Sequence, residues 1–220
     1  CYSLIMALNI NGTTGISGVD GSVSAPAVTG TDSNTGITFP AADTIKFATG
    51  GVERMAITNS GISGITAGIT EADQWRLTTD YSGSATITGN LERVDSSGYG
   101  KIGTGMTQSG GIFTFPSTGV WLVQAGYEFR INQDSERSAR GYIYLTTNNS
   151  SYTNYSFPAT NMYQSSASTY GTVFGQQLLD CTDTSQVKVK FGTSVVNNTV
   201  TRGATDSNYS YFTFIRLGDT

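Results

Sequence analysis

Histidine is absent from all 220 residues, which excludes Ser-His-Asp and Cys-His arrangements and any metal site built on imidazole. Charge is scarce too: Asp, Glu, Lys and Arg make up 13% of the chain, the formal net charge is −4, and Lys and Arg never cluster. Nonspecific nucleic-acid affinity is mostly cation-to-phosphate contact, so nucleic acid is not an expected partner. No run approaches the ~18 apolar residues of a membrane-spanning helix, and CYSLIMAL is too short for a signal peptide, so no membrane insertion is expected. The two cysteines, Cys1 and Cys181, lie far apart and form neither a disulfide framework nor a metal-ligand spacing. An N-terminal Cys could serve as a lipoprotein anchor. The expectation taken here is that Met6 is the start, since MALNINGTTG reads as an ordinary opening and CYSLI as upstream carry-over.

What is present favours strands and turns. Twenty-seven glycines and twelve tyrosines stand among abundant Ser and Thr, while no convincing helical stripe occurs. In GVWLVQAGYEFRI the alternation predicts a strand with Trp121, Val123, Ala125, Tyr127, Phe129 and Ile131 on a core face. Val120, Leu122, Gln124 and Glu128 fall on the other. Further strands are expected at QWRLTTDY, ARGYIYLTT, YGTVFGQQLLDC, SQVKVKFGT and YSYFTFIRL, separated by polar turn clusters. Roughly eight to ten strands over about 150 residues fit an antiparallel jelly-roll or Greek-key sandwich.

Composition shifts across residues 58–70, where Gly, Ser and Thr dominate and charge vanishes. This divides the chain into a β-rich attachment or stalk segment, 1–66, and a head domain, 67–220. The segment GITFPAADTIKFATGGVERMAI has strand-like pieces but too few large apolar residues for a core of its own. GISGV at Gly15–Val19 returns as GISGI at Gly61–Ile65, a weak echo consistent with a stalk. In YSYFTFIRL, Tyr209, Tyr211, Ile215 and Leu217 occupy one face while Phe212 and Phe214 occupy the other, so both faces are apolar. Scattered surface hydrophobes could explain this, but a second copy of the sheet in a symmetric oligomer is the more economical cover.

The stretch GGIFTFPSTGVWLVQAGYEF, through Gly111, Phe113, Thr114, Pro116, Gly119 and Trp121, resembles the signature of complement-type globular heads in the tumour necrosis factor-like jelly-roll superfamily. YSYFTFIRLGD resembles that family's closing strand, with Thr213 where Gly is typical and Pro116 displaced by about a position from some members. The resemblance covers about residues 71–220 and implies a homotrimer in which one sheet of each jelly roll packs around a threefold axis. The interface expected from it comprises Val120, Leu122, Phe212 and Phe214. The run Gly36–Ile57, followed by an N-S-G, is similar to stretches in tail-fibre proteins of bacteriophages, particularly marine ones. That similarity implies that Ile37, Phe39, Ile45, Phe47, Val52, Met55 and Ile57 meet counterparts on two other chains or other virion proteins.

No nucleophile stands beside a base, so no catalytic residue is assigned and no enzyme is expected. Asp180–Asp183 and Asp80–Asp95 are the carboxylate pairs that a glycosidase reading would use, but acidic turn residues are usually solvated. No cofactor or metal site is expected. Ca²⁺ is the minority alternative, with oxygens from Asp180–Thr184 and Gln133–Glu136, against the simpler Asx-turn. In NNSSYTNYSFPATNMYQSSASTY, rigid aromatics alternate with amide and hydroxyl residues. Tyr152, Tyr155 and Tyr163 are therefore receptor-binding candidates for host envelope glycans, expected exposed at the distal end of the head, unless the segment is simply a Tyr-rich strand pair.

These expectations combine in a structural protein on a bacteriophage particle surface. It is a trimeric tail or head fibre whose jelly-roll head contacts the host. The competing reading is a capsid or tail decoration protein that cements the particle and binds no receptor.

Overall fold

Every regular element among the described residues is a β-strand. The structure, a computed structural model, describes residues 10–11, 15–16, 20–64, 68–196 and 198–220. The expected start at Met6, the thiol of Cys1, much of the Gly15–Val19 echo and residues 65–67 of the composition shift lie outside them. The chain divides into two compact units, residues 1–68 and 69–220.

In the first unit, β1 (Val28–Thr29), β2 (Gly36–Ala41), β3 (Thr44–Thr49), β4 (Val52–Thr58) and β5 (Gly61–Ser63) form an antiparallel meander in chain order. Its register aligns Ile37 with Phe47 and Phe47 with Met55; a second row aligns Ile45 with Ile57 and Ile57 with Ile62. Both rows fall on one face, because side chains alternate along each strand. The fully buried positions are instead small: Thr38, Ala48 and Ala56. This sheet thus buries its small side chains and leaves Phe39, Ile45, Ile57 and Ile62 exposed.

The second unit is an antiparallel jelly-roll sandwich. One sheet runs β13 (Ser168–Cys181), β9 (Gly119–Asn132), β15 (Tyr211–Gly218), β6 (Ala72–Leu77) and β7 (Leu91–Arg93), with short pieces at Tyr81–Ser82 and Val200–Thr201. The facing sheet runs β8 (Ile112–Thr114), β14 (Lys188–Ser194) and β10 (Glu136–Thr146), edged by Thr107–Ser109 and by β11 (Thr153–Ser156) and β12 (Ala159–Met162).

The expected core face of β9 is buried throughout, from Trp121 to Ile131. Between the sheets an aromatic cluster forms: Phe191 stacks on Phe212 at 4.0 Å between centroids, and Phe113 meets Phe214 at 5.1 Å and Phe191 at 5.4 Å. Glycines at two strand positions make room for rings. A Cβ on Gly141 would lie 2.2 Å from the Tyr127 ring, and one on Gly126 would lie 2.7 Å from the Tyr211 ring. At the margin of the core, buried Asp73 accepts bonds from Trp75 Nε1 (2.9 Å), Met106 N (2.8 Å) and Arg93 Nε (2.9 Å). The carboxylate is thereby compensated on all sides, which buried charge requires.

The registers define two ends of the sandwich. Gly119 pairs with Cys181 and Val120 with Gly218 at the end where the chain enters β6. The β9–β10 turn, which carries the chain from one sheet to the other, and β12 lie at the opposite, distal end, where Glu136 pairs with Met162.

Candidate functional site

The face of the β9 sheet turned away from the core is built by strict alternation. Leu122 pairs with Leu178 on one side and Ile215 on the other; Gly126 pairs with Phe174 and Tyr211. Val120, Leu122 and Ile215 are half-buried, whereas Leu178 is 58% exposed, Leu217 54% and Phe174 50%. The entry end of this face is therefore aliphatic. A polar band follows, with Gln124 Nε2 donating to Gln176 Oε1 (3.5 Å) and Gln74 Nε2 donating to Thr213 Oγ1 (2.9 Å). Toward the distal end the face turns aromatic: a hollow of about 340 Å³ opens over Gly126, lined by Phe174, Tyr209 and Tyr211. Beside it the Arg202 guanidinium, ion-paired with Glu128, lies 3.6 Å from the Tyr209 ring centroid and 5.1 Å from that of Tyr170. The outward face thus carries an aliphatic patch at the entry end and an aromatic one toward the distal end, separated by the polar band.

Two of the four expected interface residues lie elsewhere. Phe212 and Phe214 are 0% exposed and sit inside the sandwich, because β15 pairs Phe214 with Val123 and Phe212 with Ala125, both core-facing. No neighbouring chain can reach them. The alternation in YSYFTFIRL is as expected, but the inner and outer faces are exchanged: Tyr211, Thr213, Ile215 and Leu217 point outward with Val120 and Leu122. Phe174 and Leu178 join this face from YGTVFGQQLLDC, a strand whose two faces the pattern distinguishes less plainly than those of GVWLVQAGYEFRI. The signal was there, since Tyr170, Phe174 and Leu178 alternate with Val173, Leu179 and Cys181, which are buried.

The three candidate tyrosines are not brought together. Tyr163 follows β12 at the distal end and is 79% exposed; Tyr155, on β11, is also exposed. Tyr152 is only half-exposed, with its hydroxyl buried without a partner and Lys190 Nζ 4.1 Å from its ring centroid. It also lies at the entry end, beyond the pairing of Leu145 with Thr153, whereas Tyr163 adjoins the pairing of Glu136 with Met162. At about 3.3 Å per residue, the two ends of β10 are roughly 30 Å apart. Tyr152 is thus not a distal aromatic with an open face, because the β10–β11 hairpin folds it under Lys190.

Three of the four carboxylates in these pairs are committed elsewhere, and Asp180 is exposed. Asp80 binds Arg130 (2.7 Å) and Asp95 binds Arg76 (2.6 Å), while Asp183 accepts bonds from Ser185 N and Oγ (2.8 and 2.7 Å) as a turn residue does. Those Ser185 bonds hold the Asp183 carboxyl below the usual range. Glu136 is buried, accepting from Ser138 N (2.9 Å) and Val196 N (2.6 Å). Among the described residues no group of three His, Cys, Asp or Glu side chains is placed to hold a metal ion.

No family model matches the chain, and no curated protein matches it. Solved structures do. The tumour necrosis factor Eiger from S. frugiperda is similar at 13% identity with a TM-score of 0.51, over 70% of this chain and 96% of that one. Murine APRIL at pH 5.0 aligns at 11% identity and a TM-score of 0.49, over 67% of this chain and 98% of its own. Vertex protein P5 of PRD1 aligns at 15% identity and a TM-score of 0.37, over 69% and 100% respectively. The likeness to Eiger is one of fold: the second unit is a tumour necrosis factor-like jelly roll.

Proposed function

We propose that this chain is a structural protein of a bacteriophage particle, a homotrimeric fibre whose jelly-roll head faces the host and whose N-terminal unit joins the virion. The observation that carries the assembly is the outward face of β9, β13 and β15. Leu122, Leu178, Ile215 and Leu217 form an aliphatic surface there, and a threefold assembly removes it from water on all three protomers. The virion assignment rests on the similarity of Gly36–Ile57 to bacteriophage fibre segments. The isoleucine row Ile45, Ile57 and Ile62 suits attachment, since it offers an apolar surface left open among the described residues of its unit. Contact with the host falls to the distal end, where Tyr163 stands open. Adhesion and assembly, rather than catalysis, are the roles such surfaces support.

Gold-labelled Fab fragments against residues 69–220 test this on intact particles in electron micrographs. Labels on projecting tips are expected, together with loss of incorporation when residues 1–66 are removed. Labels lying flat across capsomer junctions, on particles that lose thermal stability without the protein, would replace the fibre with the decoration protein.

A further inference from the structure

At the distal end of the head a hollow of about 490 Å³ is lined by Arg137, Thr160, Asn161 and Tyr163, with Glu136 and Met162 beneath. Three features set it apart from an ordinary surface dent. Tyr163 is 79% exposed, the highest value among the large apolar and aromatic side chains left open on the described surface. Its loop is nevertheless fixed. Gln164 Nε2 donates to Gln133 O (3.1 Å), Gln133 Nε2 donates back across the same gap to Ser166 O (3.2 Å), and Thr169 Oγ1 donates to Tyr163 O (3.2 Å). A backbone anchored in this way presents the ring at a defined place, so less loop freedom is lost on binding.

The charge in the hollow is also uncompensated. Arg137 is exposed and makes no ion pair among the described residues, unlike Arg76, Arg93, Arg130, Arg202 and Arg216. The acid nearest in sequence does not neutralise it, because Glu136 turns inward and spends its oxygens on Ser138 N and Val196 N. An aromatic ring and a free guanidinium on one hollow, with Asn161 exposed on the same rim, match one ligand class: a pyranose ring carrying a carboxylate. The ring stacks on Tyr163, the planar guanidinium takes the carboxylate in two parallel bonds, and the Asn161 amide meets the sugar hydroxyls.

We propose that this hollow binds an acidic sugar residue, uronate-like, of a surface polysaccharide. This rests on the host-contacting role assigned to the head and names its ligand. Neutral glycans use only the stacking half of the site, so discrimination resides in Arg137. Single-site affinity is weak, and three heads acting together supply the avidity.

The test is calorimetric titration of the full chain with digalacturonate and with its neutral counterpart digalactose, at low and high salt. Wild type binds digalacturonate roughly tenfold more tightly, as one charge-assisted contact provides, and salt narrows the gap. Arg137→Gln erases the preference and leaves digalactose binding unchanged; Arg137→Lys retains part of it. Tyr163→Ala weakens both sugars about equally, with an unchanged melting temperature. Equal wild-type affinities, no binding of either sugar, an inert Arg137→Gln, or full competition by acetate would each overturn the proposal. Binding of the purified chain to host cells separates it from the broader role. Cell binding indifferent to Arg137→Gln removes the pocket and keeps the adhesin, whereas uronate binding without cell binding keeps the pocket and removes the adhesin.

Discussion

Leu122 and Leu178 face each other directly across β9 and β13, on the side of the sheet that turns away from the core. The pair centres the aliphatic part of the proposed contact, and Leu178 contributes little to the folding of its own unit because more than half of it remains in water. Leu178→Asp is therefore expected to separate the protomers while preserving the far-ultraviolet circular dichroism of the head, since three carboxylates would be brought into an apolar contact without partners. A variant that stays fully assembled would move the contact off this face.

Phe214→Ala behaves in the opposite way. Its ring lies within the sandwich against Phe113, so its removal leaves a cavity and costs about 3–5 kcal/mol in denaturant unfolding of the head. That loss is expected in residues 69–220 even at concentrations where protomers are separate. A loss below about 1 kcal/mol, or one that appears only on assembly, would return Phe214 to the interface.

How far the sequence leads is visible in these two residues. The period-two pattern of GVWLVQAGYEFRI identified both faces of β9 correctly, because six successive odd positions are apolar, all but Ala125 large, and the even ones include Gln and Glu. YSYFTFIRL offers large side chains on both faces, so alternation alone cannot say which is inside; the pairing of Phe214 with Val123 decides it. All-β class and a jelly-roll or Greek-key sandwich were legible from composition and strand spacing, and the resemblance carried by GGIFTFPSTGVWLVQAGYEF pointed to the jelly roll. The scatter of Tyr152 and Tyr163 to opposite ends was not, since separation along β10 is a property of the register. Nor was Arg137 legible as a free cation, because the inward turn of Glu136 beside it depends on backbone donors from Val196, sixty positions away.

Asp73→Ala removes the acceptor shared by Trp75 Nε1, Met106 N and Arg93. The two neutral donors lose their partner in a buried setting, while Arg93, more than a third exposed, regains water. A loss of about 3 kcal/mol is expected from urea unfolding. A change under 1 kcal/mol would mean that water replaces the carboxylate without cost.

Cys181 is fully buried, and desolvation, helped by the Asp180 charge, pushes its thiol up to about 11 from 9.0. Because the folded value is raised, the thiol's contribution to stability is complete below pH 9 and is lost as pH rises toward 11. Burial raises the Tyr127 hydroxyl in the same direction. The native chain at pH 8 is accordingly expected to resist iodoacetamide at Cys181 and to react in denaturant, with the melting temperature falling only above pH 9. Rapid labelling of Cys181 in the native chain would contradict this burial.

Assembly is tested most directly by sedimentation equilibrium of the full chain at micromolar concentration. A threefold contact through β9, β13 and β15 gives a particle of about three times the 23.2 kDa chain mass, falling to a single chain mass in Leu178→Asp. A wild-type chain that sediments as a stable monomer would contradict both the trimer and the role assigned to that face.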